Sequence, residues 1–488
     1  MKTSSVLLLC VWAAHALALR AQSFESSSAA VHLRTVRSSR APRQLEVEAF
    51  NQHYSLRLQP ATAPFAEGFK MQTTSRDEQG PLIIEDIGDY KVDDSDLYEA
   101  PEAGSVVRLT AAGVEGFISP SLVLNTAADG RHEAVRKNYE AEPESFDRDY
   151  LQVPEEARSH YQLAATSRAT RQAVTSATVE MLIVVDSTLA AKLGSDLQVM
   201  RYLGVFWNAV NQRYATMADP RIKLVLTGAV IARNSSDEPF ISENTLTQNY
   251  IHSKNTLNSL SRWAFKWRDH LTPHDMLYLM TGKNMFSMND DNVMQNNTSG
   301  RAFMSGACSV SQYYSKSYNV VMGEDFPLYT GVMTAAHEVA HNLGAPHDGE
   351  EGAASCLGSE GFIMSKMKHG EKNNLFFSLC SKRLMKQYIS GSAAACLHTN
   401  TSTKRIALSS TLPGQVMSLD QQCQAATGQS GAYASRSVTE DSLCIHLICE
   451  WKTQQGQTTT TTTSYRRIPA AEGSPCRSGG ACKNGSCQ

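Results

Sequence analysis

An α/β fold with a mixed, largely parallel sheet is predicted by three observations. Apolar strand-like runs alternate with helical stretches between residues 179 and 280, each run is short, and the helical stretches are apolar on one face only. "VEMLIVVD" from Val179 is a near-continuous apolar run, as a strand buried on both faces requires. Leu203, Phe206, Trp207, Val210 and Tyr214 follow at three- and four-residue spacing and mark one side of a helix. "IKLVLTGAVI" from Ile222 reads as a second strand. Leu257, Leu260, Trp263, Ala264 and Trp267 mark a second helix, and "MLYLM" from Met276 a third strand. At this spacing the aromatic side chains are core residues with no cofactor role.

The chemistry is concentrated in "TAAHEVAHNLGAPHDGE", where three histidines fall within seventeen residues of a chain that has 14 in all. "VMTAAHEVAHNL" is built from good helix formers without proline, so His337 and His341, four residues apart, share a face. Gly344 tolerates the left-handed backbone that ends a helix, which lets the chain turn and bring His347 to the same point. Three neutral nitrogen donors with a fourth position open describe a catalytic zinc site, whereas a structural zinc has a closed donor set. Glu338 follows the first histidine and is placed to act on a water at the open position, as a general base.

"HEVAHNLGAPHD", with aspartate directly after the third histidine, and "GFIMSKM" downstream resemble the reprolysin or adamalysin (ADAM/ADAMTS-like) branch of the metzincin zinc metalloproteases. The resemblance implies a catalytic domain built on a mixed, mostly parallel five-stranded sheet with helices. It implies that His337, His341 and His347 bind one zinc ion, that Glu338 is the catalytic base, that Met364 forms the methionine turn and that Asp348 supports the site from behind. It also pairs Cys308 with Cys396 and Cys356 with Cys380, where the sequence alone allows three connectivities. It implies a structural calcium ion held by Glu180, Asp275 and a backbone oxygen of Cys396. An edge strand near "GRAFMSGA" is expected above the cleft, where an extended substrate would add as a further strand. The activity implied is that of a metalloendopeptidase acting on extracellular polypeptides, matrix or fibrinogen among them.

At 488 residues the chain has room for several domains, and a net charge of −3 supplies no basic surplus for nucleic acid. The start, "MKTSSVLLLCVWAAHALAL", has a basic residue, a short apolar run and a small-residue site, and reads as a signal peptide over residues 1–18. No later stretch is long and apolar enough for a membrane anchor, so a secreted monomer is expected. Ten cysteines remain after Cys10, none within residues 23–307, and sequons at Asn234, Asn296, Asn297, Asn400 and Asn484 suit an oxidising, glycosylating route.

Residues 19–171, polar and free of cysteine after the signal, are read as a propeptide containing strand-like runs such as "SVVRLT" and "VEGFIS". Arg168 and Arg171 in "SRATRQAV" form a processing site, with cleavage after Arg171. The catalytic domain then spans residues 172–400 and a linker 401–411. Residues 412–488 look like an ADAMTS disintegrin-like or cysteine-rich module, whose six cysteines offset a small apolar core. Its threonine tract, residues 458–464, reads as a solvated loop. The short layout is most similar to secreted salivary metalloproteases of ticks. Lacking a cysteine, the propeptide is expected to lie across the cleft and to inhibit sterically or through another donor, for which His132 is the candidate. The rival reading, a binding protein on a dead protease scaffold, is disfavoured by the intact base at Glu338.

Overall fold

The computed structural model describes residues 24–34, 43–75, 82–87, 93–127, 129–137, 149–154, 157, 174–247, 249–288, 293–295, 298–350, 352–365 and 373–398. Beyond these it describes 418–427, 430–435, 443–444, 447–454, 461–468, 470, 474–476, 480–483 and 486–487. The signal segment, Arg168, Arg171, Asn296, Asn297 and Asn400 lie outside the described residues, as does Asn484.

A single sheet carries the chemistry. Its strands in chain order are β1 (Phe65–Ser75), β2 (Ile83–Asp86), β3 (Tyr150–Gln152), β4 (Ser176–Val185), β5 (Arg221–Ala232), β6 (Met276–Thr281), β7 (Gly300–Met304) and β8 (Val320–Glu324). Across the sheet they run β3-β7-β8-β6-β4-β5-β1-β2. Pairing is parallel except at β7 with β8 and at β2 with β1. The sheet thus has eight strands where five were expected. The five strands beyond residue 175 occupy its middle, and strands from before residue 155 cap both edges. The reason is general: an edge strand presents unpaired N–H and C=O groups, and a neighbouring segment gains by pairing with them.

The apolar runs pack as their alternation demands. Met181, Ile183 and Val185 of β4 enter one core cluster, Leu182 and Val184 the other, so the sheet is buried on both faces. Helix α1 (Asp196–Tyr214) starts at Ser195, which caps it with Gln198 in a reciprocal capping box, and lays Leu203, Phe206, Trp207 and Val210 on the first face. Helix α2 (Ser253–Trp267) covers the second with Leu257, Leu260 and Trp263. Each such buried side chain contributes roughly 1.5–3 kcal/mol relative to exposure. Helix α3 (Val332–Asn342) packs on the first face beside α1, and α4 (Leu379–Ile389) follows it.

The N-terminal residues form more than a polar spacer. Nine antiparallel strands, including Ser105–Leu109 and Val114–Ser119, build a second sheet over its own core of Leu45, Val47, Leu56, Leu58, Val107 and Ile118. Met71, Leu97, Val106 and Phe117 of this module join the core of α1 and the central sheet. The buried Arg108 pairs with Asp96, which also takes Arg201 of α1, and Arg213 of α1 donates to Gly104 O at 2.6 Å.

Cys308 bridges Cys396 and Cys356 bridges Cys380. In the C-terminal module Cys423–Cys449, Cys444–Cys482 and Cys476–Cys487 surround a small cluster with Leu447 and Ala432. Residues 458–460 of the threonine tract lie outside the described residues, and the rest departs from the loop expected of it: Thr461–Ile468 is a strand paired antiparallel with Leu447–Gln454. Threonine is β-branched, and its preference for a pleated surface outweighs its polarity in this strand pair. Among the described residues no helix is long and apolar enough to cross a membrane.

Candidate metal centre

Helix α3 brings the first two histidines into the sheet's upper edge region. Its first turn has no side-chain cap of its own; Gly331 N donates instead to the buried Asp325 carboxylate at 2.9 Å. At its other end Asn342 Nδ2 donates to Phe303 O (2.8 Å) and Tyr318 O (3.1 Å), and Ser305 N donates to His341 O (3.0 Å), which ties the helix to β7. Gly344 follows with φ +97°, and a Cβ there would stand 2.7 Å from Tyr388 Cβ, so the turn needs glycine on two counts.

The three imidazoles converge. His337 Nε2 and His347 Nε2 are 3.2 Å apart, and the ring centroids of His341 lie 4.6 and 4.7 Å from those of His337 and His347. Their outer nitrogens are held by the backbone: His337 Nδ1 meets Ile363 O at 2.6 Å and His341 Nδ1 meets Ala345 O at 2.7 Å. A carbonyl at Nδ1 fixes the tautomer that leaves Nε2 free to bind metal. Tetrahedral zinc with nitrogen bonds of about 2.0–2.1 Å needs donors roughly 3.3 Å apart, so the donor set fits that ion in chemistry and in size.

Met364 is fully buried beneath, and its carbonyl accepts from Asp348 N at 3.0 Å. The Asp348 side chain accepts from Ser378 Oγ (2.5 Å) and Ser381 Oγ (3.3 Å) at the start of α4. Burial raises its pKa to about 6 against those hydrogen bonds. Asp348 therefore ties the His347 loop to the start of α4 through its side chain and to Met364 through its backbone N–H. Glu338 is 2 % exposed and leans against β7, where a Cβ on Gly300 would come within 2.5 Å of its Cγ and Oε1. Gly300 was not singled out from sequence, because a glycine in "SGRAFM" carries no signal that a carboxylate from another element packs over it.

A fourth donor is present that the sequence did not disclose. Asp149 precedes β3, and its carboxylate lies among the three Nε2 atoms, with Oδ1 2.9 Å from His347 and 3.0 Å from His341 and Oδ2 3.1 Å from His337. All four ligand atoms lie within 4.8 Å of one another. Burial pushes the Asp149 carboxyl up, and the three imidazoles together outweigh it, holding it well below the usual carboxylate range. Burial depresses His341 to about 4 despite Asp149, whereas Asp149 and Glu350 together lift His347 to about 9 against burial. His132, the candidate donor from sequence, is elsewhere. Its Nε2 accepts from Val114 N at 2.9 Å inside the nine-stranded sheet, because its strand pairs there and points the ring at a neighbouring backbone.

The residues expected to hold calcium are neighbours. Glu180 N donates to Asp275 Oδ2 at 2.9 Å, Asp275 N to Glu180 O at 2.8 Å, and Cys308, the disulfide partner of Cys396, donates its N–H to Asp275 O at 3.3 Å. Both carboxylates are buried, and the hard oxygen donors suit calcium rather than zinc.

Comparison with known proteins agrees with this geometry. Residues 178–401 match the reprolysin (M12B) family zinc metalloprotease, and residues 413–488 match the ADAMTS cysteine-rich domain 2. A Bombyx mori protein, "a disintegrin and metalloproteinase with thrombospondin motifs like", is 32 % identical over 378 residues, which is 75 % of this chain and 52 % of that one. Its namesake with motifs 18 from Mus musculus is 29 % identical over 72 % of this chain and 26 % of its own length. The chain thus spans about half, or less, of the curated relatives it matches. Among solved structures, metalloproteinase-II from Bacteroides fragilis aligns over 75 % of this chain and 92 % of that one with a TM-score of 0.35 and 11 % identity, too distant a likeness to bear on the site.

Proposed function

Because residues 178–401 are a domain of the reprolysin (M12B) zinc metalloprotease family, we propose that the chain is a zinc-dependent endopeptidase of extracellular polypeptides, matrix or fibrin proteins being the substrate class. The observation that carries this reading is the convergence of three Nε2 atoms, two of them backed by backbone carbonyls, beside a buried glutamate. His337, His341 and His347 would hold the ion, which when bound would supply a Lewis acid for the scissile carbonyl and for water. Glu338, kept beside β7 by Gly300, accepts the proton of the attacking water and returns it to the leaving nitrogen. Ile363 O holds the His337 ring and Met364 O accepts from Asp348 N beside His347, and β7, once β3 has left it, would offer its edge to an extended substrate.

The same reading takes residues 1–18 as a secretion signal, residues 19–171 as a propeptide removed after Arg171, and the mature protein as a secreted monomer with no nucleic-acid partner. A calcium ion at Glu180, Asp275 and the Cys396 carbonyl would stabilise the base of the sheet; calcium-dependent melting that Asp275→Ala abolishes is its test. For the activity, casein is incubated with processed protein with and without a zinc chelator. Cleavage that the chelator stops and zinc restores supports a protease. Binding to matrix proteins with no cleavage in either sample would favour the binding-scaffold alternative.

A further inference from the structure

We propose that Asp149 is the fourth ligand of the metal centre in the uncut chain, a carboxylate latch that closes the position a catalytic zinc must keep open. The proposal rests on the zinc reading of the three histidines and adds to it a residue 188 positions before the first of them.

Four observations converge on it. The Asp149 carboxylate contacts all three Nε2 atoms at 2.9–3.1 Å, the one side chain among the described residues to complete a four-donor group with them. Its backbone is fixed independently of any metal, since Asp149 O accepts from Ala302 N of β7 at 3.1 Å and β3 then continues parallel to β7, with Tyr150 opposite Ala302, Leu151 opposite Phe303 and Gln152 opposite Met304. The Tyr150 ring lies over the centre, its centroid 4.7 Å from that of His341 and 5.6 Å from that of His347, and its hydroxyl donates to Glu350. Beyond the strand, Val153 and Ala157 are buried in the core cluster that holds Phe303 and Trp263.

The chemistry follows from coordination number. Three imidazoles and an open position activate water; three imidazoles and a carboxylate form the closed set that makes zinc structural and inert. The residue after the latch covers the histidine rings and the next two occupy the edge of β7, so water and an extended peptide are excluded by one six-residue segment, 149–154. Because Asp149 is joined to the rest of the chain, its local concentration at the metal is far above that of any free carboxylate. A carboxylate also explains how latency is achieved in a segment that has no cysteine.

The test uses the full, uncut chain, its intactness checked by mass, loaded with cobalt in place of zinc, as wild type, Asp149→Ala and Asp149→Asn. Metal content is counted first. The cobalt absorption spectrum then reads the ligand set directly, and acetohydroxamate, a small bidentate metal ligand, is titrated in as a probe of the open position. Expected are one metal per chain in all three, a changed cobalt spectrum in both variants, and acetohydroxamate binding at least tenfold tighter in Asp149→Ala than in wild type. The isosteric Asp149→Asn carries the test if the alanine variant loses its melting transition. An unchanged spectrum in the variants overturns the assignment, whatever the probe does. No metal in any form overturns the zinc reading itself, and the metal count tells that failure apart from the first.

Discussion

The two edges of the central sheet are both covered by the N-terminal module, and they are covered differently. On the far side β1, with β2 beyond it, is eleven residues long, pairs with β5 from Leu226 to Ala232, and sends Met71 into the main core. At the metal edge β3 has three residues, and its hold depends on Val153, Ala157 and the polar contacts of Asp149 and Tyr150. The long contact is a docking surface, built from apolar burial that needs no metal. The short contact is a gate, weak in area and strong only where a charge meets the histidines. A chain cut between the module and the catalytic domain would therefore release the metal edge more readily than the far one.

Truncating each contact separates the two roles. Met71→Ala should remove about 2–4 kcal/mol, the usual cost of a buried methionine, and lower the melting temperature of the uncut chain while leaving acetohydroxamate exclusion intact. If it opened the metal centre instead, the far edge would be part of the gate. Gly300→Ala, on β7 between the gate and Glu338, should keep zinc but lower kcat of the processed enzyme about tenfold to a hundredfold, since a Cβ would displace the base. An unchanged kcat would show that Glu338 has room to move aside and still act.

Asp325 offers a control at neither edge. Burial raises its pKa to about 7 against hydrogen bonds from Tyr202 and Gly331 and the charge of Lys192. A carboxyl with a folded pKa above its unfolded one favours the folded state fully below about pH 4 and loses that contribution as pH rises through 7. Asp325→Asn, which cannot ionise, should gain on wild type between pH 5 and pH 8 by about 2 kcal/mol in paired thermal melts. A constant difference across that range would mean that the carboxyl is already ionised at pH 5. The smallest effect is expected at the gate: Val153→Ala should cost about 1–2 kcal/mol of local stability and loosen acetohydroxamate exclusion only slightly, as long as Asp149 remains.

The central strands and helices were legible in sequence because their signals are local. Apolar alternation in "VEMLIVVD" and the i, i+4 histidines report their own neighbourhood, and the structure places them at Ser176–Val185 and Val332–Asn342. The gate was not legible, for the opposite reason. Asp149 in "DRDYLQV" is one acidic residue among 48, and what singles it out is the parallel pairing of Tyr150–Gln152 with Gly300–Met304, a contact across some 150 positions that no periodicity encodes. His132 was a candidate donor only, a histidine without a ligand role being the favoured reading of it, and in the structure its ring is committed to Val114 N. The two edge strands of the module were missed likewise: "FAEGFKMQTTS" lacks clean alternation and is a strand only because β5 offers it an edge.

Glu338 as the base and the three histidines as the metal site together account for the proposed activity. That assignment is tested most directly by replacing Glu338 with alanine in the processed enzyme and measuring zinc content and peptide turnover on the same sample. One zinc per chain with turnover reduced about a hundredfold or more is expected, because the substitution removes the base and no ligand. Turnover above about a tenth of wild type with zinc retained would contradict the assignment of Glu338, set against the hundredfold effect typical of losing a general base.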